Sequence, residues 1–227
     1  MLDAPTTNTT ATLRVLVIGQ SPRPEIEEQF ALAVPGMRIA VEGALDGMTR
    51  EEIARDAAPR SDADTLFTVL PSGETTKISK AVVTEKLVGK LGVPGPTLLN
   101  CTGAFKGLPE RADLVQPSAV LEGLTAALLP KGRLGLLVPV PEQVESLTAK
   151  RARPGLEVVA MPLQPLSDEA TIEAAGRAMA AHKPDLLVLD CMSYTAADKA
   201  ILGPIVGCPV LVSIEVAARA AACLLPA

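Results

Sequence analysis

Leu186-Leu187-Val188-Leu189-Asp190-Cys191-Met192-Ser193 is an apolar run that ends on a cysteine and opens into a polar turn. Thr97-Leu98-Leu99-Asn100-Cys101-Thr102-Gly103 has the same shape in the first half of the chain. Short apolar runs without polar alternation read as strands buried on both faces, as in a parallel sheet covered by helices. In such sheets the ligand crevice lies just outside the carboxyl ends of the strands. Both thiols fall there, and each is followed by a hydroxyl residue, Thr102 or Ser193. Two thiols facing one another across a cleft can take a proton from a carbon acid and return one to its opposite face. The competing reading is core filling, because free cysteine is among the most buried residue types. A matched pair at equivalent strand ends favours the chemical reading.

Outward from these strands, helix-like and strand-like segments alternate. Arg14-Val15-Leu16-Val17-Ile18-Gly19 reads as a buried strand, and Pro24-Glu25-Ile26-Glu27-Glu28 opens a helix with proline and acids in its first turn. A strand is expected over residues 37–42. Thr49 and Glu52 form a capping box for a short helix. Leu66–Leu70 reads as a third strand ending at Pro71-Ser72-Gly73, followed by a helix from Thr76 to Lys90. In the second half, helices are expected over 118–129, 142–151, 168–181, 195–202 and 214–224. Strands are expected at Arg133–Val138, 156–161, Asp185–Asp190 and Pro209–Val212. Both halves open on an arginine, an apolar run and two prolines, and both later reach a cysteine strand. The first half is longer by room for one strand–helix unit. This weak duplication predicts an α/β fold of two similar lobes, with mostly parallel sheets flanked by helices and the site between them. The first lobe would take residues 13–115 plus 213–227 and the second 116–212, with 1–12 a disordered lead-in. A single doubly wound sheet stays open on loop lengths alone.

Hydrophobic residues make up 48% of the 227 and charged residues 21%, enough for a sizeable core. A formal net charge of -5 and the scarcity of aromatics (three Phe, one Tyr, no Trp) argue against nucleic-acid partners. The polar start reads as neither signal nor transit peptide, and no apolar window reaches membrane-span length, so no membrane partner is expected. Four well-separated cysteines and one histidine give neither a disulfide scaffold nor a zinc site, and a cytoplasmic location suits free thiols. The first strand is followed by no GxGxxG, and no GxxxxGK(S/T) occurs, so no cofactor and no metal are expected.

Cys101 and Cys191 are the candidate acid and base, and backbone amides in the turns after them would lower thiol pKa values. Asp190 either faces away along the strand or pins a loop. Cys208 and Cys223 read as core fillers. The Gly19-Gln20-Ser21-Pro22-Arg23 loop offers amides, the Ser21 hydroxyl and the Arg23 guanidinium to an anion, against the plain reading of a strand–helix turn. Ser72, Gly73 and Thr75 form a similar polar loop. Thr102, Gly103, Ser193 and Tyr194 would complete the cleft, although the Tyr194 ring could simply pack. His182 reads as a helix C-terminal residue.

Val17-Ile18-Gly19-Gln20-Ser21-Pro22-Arg23, Gly43-Ala44-Leu45-Asp46-Gly47, Asn100-Cys101-Thr102-Gly103 and Leu189-Asp190-Cys191-Met192 together resemble the AroM family. That family is similar to the aspartate/glutamate/hydantoin racemase superfamily, and the resemblance runs from about Leu13 through nearly the whole chain. It implies two α/β lobes of pseudo-twofold symmetry, one catalytic cysteine per lobe, and no cofactor or metal. Racemases of this kind commonly place the thiols in Cys-Asn-Thr and Gly-Cys-Thr-His turns. Here Cys101 is followed by Thr102 and Gly103, and Cys191 by Met192, Ser193 and Tyr194. These departures point from amino-acid racemisation toward a broader expectation. It is isomerase- or racemase-like chemistry on a small carboxylate-containing molecule, with a homodimer left open. A non-enzymatic carboxylate sensor and a single-thiol decarboxylase or lyase are the alternatives.

Overall fold

Alternate residues of the opening strand feed two different cores. In strand β1 (Thr12–Val17), Leu13, Val15 and Val17 join one apolar cluster while Leu16 joins another, as period-2 geometry requires of a strand covered on both faces. The computed structural model describes residues 12–225. The lead-in expected over residues 1–12 therefore lies outside the described residues except for Thr12, which already belongs to β1.

The first half continues through α1 (Pro24–Ala33), β2 (Arg38–Gly43), α2 (Arg50–Asp56), β3 (Thr65–Val69), β4 (Thr75–Ser79), α3 (Lys80–Leu91), β5 (Thr97–Asn100), β6 (Leu114–Val115) and α4 (Pro117–Leu128). The second runs through β7 (Gly132–Val138), α5 (Val144–Arg151), β8 (Leu156–Pro162), α6 (Glu169–Ala180), β9 (Leu186–Leu189), α7 (Ala196–Val206), β10 (Val210–Val212) and α8 (Ser213–Ala222). Two four-stranded sheets result, ordered β2-β1-β5-β6 and β10-β9-β7-β8, and every pairing within them is parallel. In each sheet the opening strand lies between the strand that follows it and the cysteine strand. Val17 lies opposite Asn100 in one, and Leu137 opposite Leu189 in the other. The cysteine strands thus belong to separate sheets of matching order, which removes the single doubly wound sheet.

One expectation fails in the first half. Residues 75–79 are not the start of a helix but strand β4, which pairs antiparallel with β3 as a separate two-stranded hairpin. The helix begins only at Lys80, with the Ser79 hydroxyl accepting from the Val82 amide. The capping box at Thr49 and Glu52 forms as read.

The two sheets share a central core. Side chains of β1, β5, β7 and β9 meet those of α1, α6, α7 and α8 there, and an outer cluster lies on the far side of each sheet. Helix α8 follows the last strand of the second sheet but packs against α1, α4, β5 and β6. Among the described residues, no helix is long and apolar enough to cross a membrane.

Candidate active site

Both cysteine turns open into one cavity of about 210 Å³ between the sheets. That is a volume for a small metabolite, below the usual range for drug-sized ligands. Cys101 and Cys191 line it, each 8% exposed. They belong to different apolar clusters, Cys101 to the outer cluster of the first lobe and Cys191 to the central core, yet both face the same space.

Each thiol is strongly desolvated, which penalises its thiolate. Burial pushes Cys101 up to about 12, opposed by the Gly103 amide, which donates to its sulfur at 3.3 Å, while the neighbouring Cys191 adds to the rise. Burial pushes Cys191 up to about 11, opposed by the nearby Ser193 amide and hydroxyl and, more weakly, by Arg23. At neutral pH both sulfurs carry protons.

The turns are tied together. The Thr102 hydroxyl donates to the Asp190 carbonyl at 3.1 Å, joining the residue after one cysteine to the residue before the other. Asp190 is fully buried; its amide donates to the Leu137 carbonyl at 2.8 Å and its carboxylate meets the Arg151 guanidinium at 3.1 Å. Arg151, 1% exposed in its side chain, also reaches the Ser118 carbonyl. Asp190 therefore pins the Cys191 turn to α5 and does not reach into the cavity. On the cavity wall Gln143 donates to the Thr65 carbonyl at 3.1 Å, and elsewhere Lys77 pairs with Glu142, both joining the hairpin to the second lobe.

Of the Gly19–Arg23 loop, only Arg23 lines the cavity. Its side chain is buried, pairs with Glu25 and donates to the Val69 carbonyl at 2.8 Å. The remainder of that loop is a correction to the sequence reading, because it is spent on the first lobe itself. The Asp46 carboxylate accepts from the Gly43 amide, the Ser21 amide and the Ser21 hydroxyl, and Gln20 donates to the Leu45 and Met48 carbonyls. A Cβ at Gly43 would lie 2.6 Å from the Gly19 carbonyl oxygen, and one at Gly19 would lie 2.3 Å from the Thr68 hydroxyl. Both glycines thus serve close packing, and Gly19 lines no ligand space. Ser72 and Gly73 sit at the exposed tip of the β3–β4 hairpin, away from the thiols, where the Gly73 amide closes the turn onto Leu70. Thr75 is paired opposite Val69, and its hydroxyl accepts from Gln164. Tyr194 is buried with its hydroxyl donating to the Leu163 carbonyl, so it packs and does not cover the cleft. Thr102, Gly103 and Ser193 do line the cavity. Cys223 is exposed at the end of α8, not core, and Cys208 is partly buried against the central core.

The sequence reading missed several cavity residues. Lys80, Lys150, Gln143, Thr68 and Asn100 all line it, with Asp62 as an acid at its exposed edge. The buried Asn100 Oδ1 and the Lys150 Nζ have no hydrogen-bond partner among the described residues. No group of three His, Cys, Asp or Glu side chains among the described residues is placed to hold a metal ion.

A two-lobed α/β frame with a cysteine from each lobe on one cavity defines a class, and solved structures share its fold. Unliganded arylmalonate decarboxylase is similar with a TM-score of 0.58 at 18% identity, covering 95% of this chain and 92% of that one. Glutamate racemase isoform RacE1 from Bacillus anthracis gives 0.60 at 14% identity, covering 94% and 80%. The maleate isomerase Iso from Pseudomonas putida S16 gives 0.53 at 15%, covering 92% and 91%. No curated protein sequence matches the chain. The AroM protein family model matches residues 13–225, and the chain belongs to that family.

Proposed function

We propose that the cavity binds a small carboxylate and that Cys101 and Cys191 exchange a proton at the carbon next to it, giving a cofactor-independent isomerase- or racemase-like enzyme. The observation that carries this reading is the shared cavity, reached by one thiol from each lobe. The structural relatives, a racemase, an isomerase and a decarboxylase, support it. Arg23 supplies charge for the carboxylate, and fixed donors on the cavity wall stabilise the enediolate-like charge that proton loss creates. One sulfur must be the base and the other the acid. We assign Cys191 as the first base because the Ser193 amide and hydroxyl flank its sulfur, with Arg23 nearby.

The test is incorporation of solvent deuterium at a substrate carbon, screened over amino acids, hydantoins and maleate-like diacids. Exchange lost in both Cys101→Ser and Cys191→Ser supports the two-thiol reading. Exchange or decarboxylation lost in only one favours a single-thiol lyase, a second reading that the unequal thiol surroundings recommend. A ligand that binds without turnover and is unaffected by thiol alkylation would replace the enzyme with a sensor. In a liganded crystal structure the sulfurs should flank one carbon at roughly 7–8 Å from each other, twice a near-attack contact.

A further inference from the structure

Two cavity lysines have no role in the reading above, and they come from opposite lobes. Lys80 is the first residue of α3, and Lys150 lies in the last turn of α5. Neither makes a salt bridge among the described residues. The Lys150 Nζ is buried without any hydrogen-bond partner, an arrangement that costs free energy unless something else satisfies it. Lys80 breaks a different rule: it puts a cation in the first turn of a helix, where the aligned peptide dipoles already present positive charge. Its ammonium lies 5.9 Å from the centre of the Phe105 ring, beside the Cys101 turn. The Phe105 ring answers the Lys80 charge only weakly, and local rules broken with so little compensation concentrate at functional positions.

The acids nearby do not answer these charges. Asp190 is engaged by Arg151, Asp64 accepts from the Ala81 amide at 2.9 Å, and Asp62 stands exposed at the cavity edge. Burial lowers the Lys150 pKa first, with the Arg151 and Lys80 charges pushing the same way and those of Asp190 and Glu122 opposing. Both lysines line the same cavity, and an anion between them would give the Lys150 Nζ the partner it lacks among the described residues.

We propose that Lys80 and Lys150 form an anion subsite spanning the two lobes, so that the ligand carries a second anionic group, carboxylate or phosphoryl, besides the carboxylate taken by Arg23. This rests on the reading of the cavity as a carboxylate site but makes no use of the thiols.

Isothermal titration of the full-length protein with propionate, malonate and phosphonoacetate tests it. Malonate or phosphonoacetate should bind at least about tenfold tighter than propionate, the scale of one charge-assisted contact. Preference between the two dianions identifies the second group as carboxylate or phosphoryl. Lys150→Met should erase most of that advantage while leaving propionate unchanged, and Lys150→Arg should restore part of it. Lys80→Met makes the same test from the other lobe if Lys150→Met does not fold. Equal binding of mono- and dianions by the wild-type protein, or an advantage that survives both Met variants, would overturn the subsite. The Cys101→Ser, Cys191→Ser double variant separates the two claims. That variant should lose deuterium exchange and keep the dianion preference, whereas a wild-type protein that shows the preference but never exchanges deuterium condemns the thiol chemistry and spares the lysines.

Discussion

The Cys101 turn and the Cys191 turn occupy equivalent places in sheets of matching order, yet their sulfurs meet different surroundings. Cys101 follows Asn100, whose buried side-chain Oδ1 has no hydrogen-bond partner among the described residues, and its sulfur accepts from the single amide of Gly103. Cys191 follows a fully buried carboxylate neutralised by Arg151, and its sulfur is flanked by two polar groups of Ser193 with Arg23 nearby. A shared strand order supplied two thiols but not two equal acids. If Cys191 is the first base, as proposed, its polar neighbours are what would favour the thiolate there.

The sharpest way to break this comparison is to remove the thiols one at a time. Each serine variant should lower exchange by about 10³-fold, within the usual range for general acid–base groups. If Cys101→Ser leaves exchange intact, the first turn is packing alone. The pH dependence comes next. Because Cys191 is protonated below about 11, kcat/KM should climb about tenfold per pH unit from pH 7 to 10 as its thiolate forms. Iodoacetamide should label Cys191 about tenfold faster than Cys101 over the same range, read by mass spectrometry of tryptic peptides. A flat profile would mean that the thiolate is not the base.

Arg151→Met tests the anchor behind Cys191. It strands a buried carboxylate, so urea unfolding should show a loss of about 3–5 kcal/mol, whereas the double change with Asp190→Leu should recover much of it. Thiol burial has a stability consequence of its own. Both folded pKa values lie above the ordinary thiol value of about 8.5, so the unfolded chain releases these protons first. The stability they contribute is fully present below about pH 8.5 and is lost as pH rises toward 11 and 12. The Cys101→Ala, Cys191→Ala double variant should flatten that decline. The smallest effect belongs to the link between the turns. Thr102→Val should cost about 1 kcal/mol, with Thr102→Ser retaining the bond to the Asp190 carbonyl.

Most strands were legible because burial on both faces leaves a continuous apolar run, as in Leu134-Gly135-Leu136-Leu137-Val138. Strand β4 was not, because Thr75-Thr76-Lys77-Ile78-Ser79 has a partly exposed, polar beginning and runs directly into an apolar helix. The thiols were legible from their place at strand ends, and Arg23 from its loop. The neighbours of Arg23 were misread because the Asp46 carboxylate, 25 residues on and beyond the next strand, claims their donors, and single-chain pattern carries no sign of it. Lys80 and Lys150 were invisible for a plainer reason: helical lysines are usually solvated. The available signals were a lysine in a helix's first turn and a lysine adjacent to an arginine that turned out to be buried.

The packing of α8 against α1, β5 and β6 has a consequence for how the protein is made. The strands β7 to β10 and their helices form a run of neighbours in sequence, so this sheet can assemble as soon as they leave the ribosome. The surfaces of α1, β5 and β6 that α8 covers are synthesised more than a hundred residues earlier in part, and must wait for it. Contacts of such long sequence separation form late and leave apolar surface open meanwhile. The half of the molecule synthesised first is thus the half completed last, and a stalled or shortened nascent chain would present an open first lobe beside a finished second one.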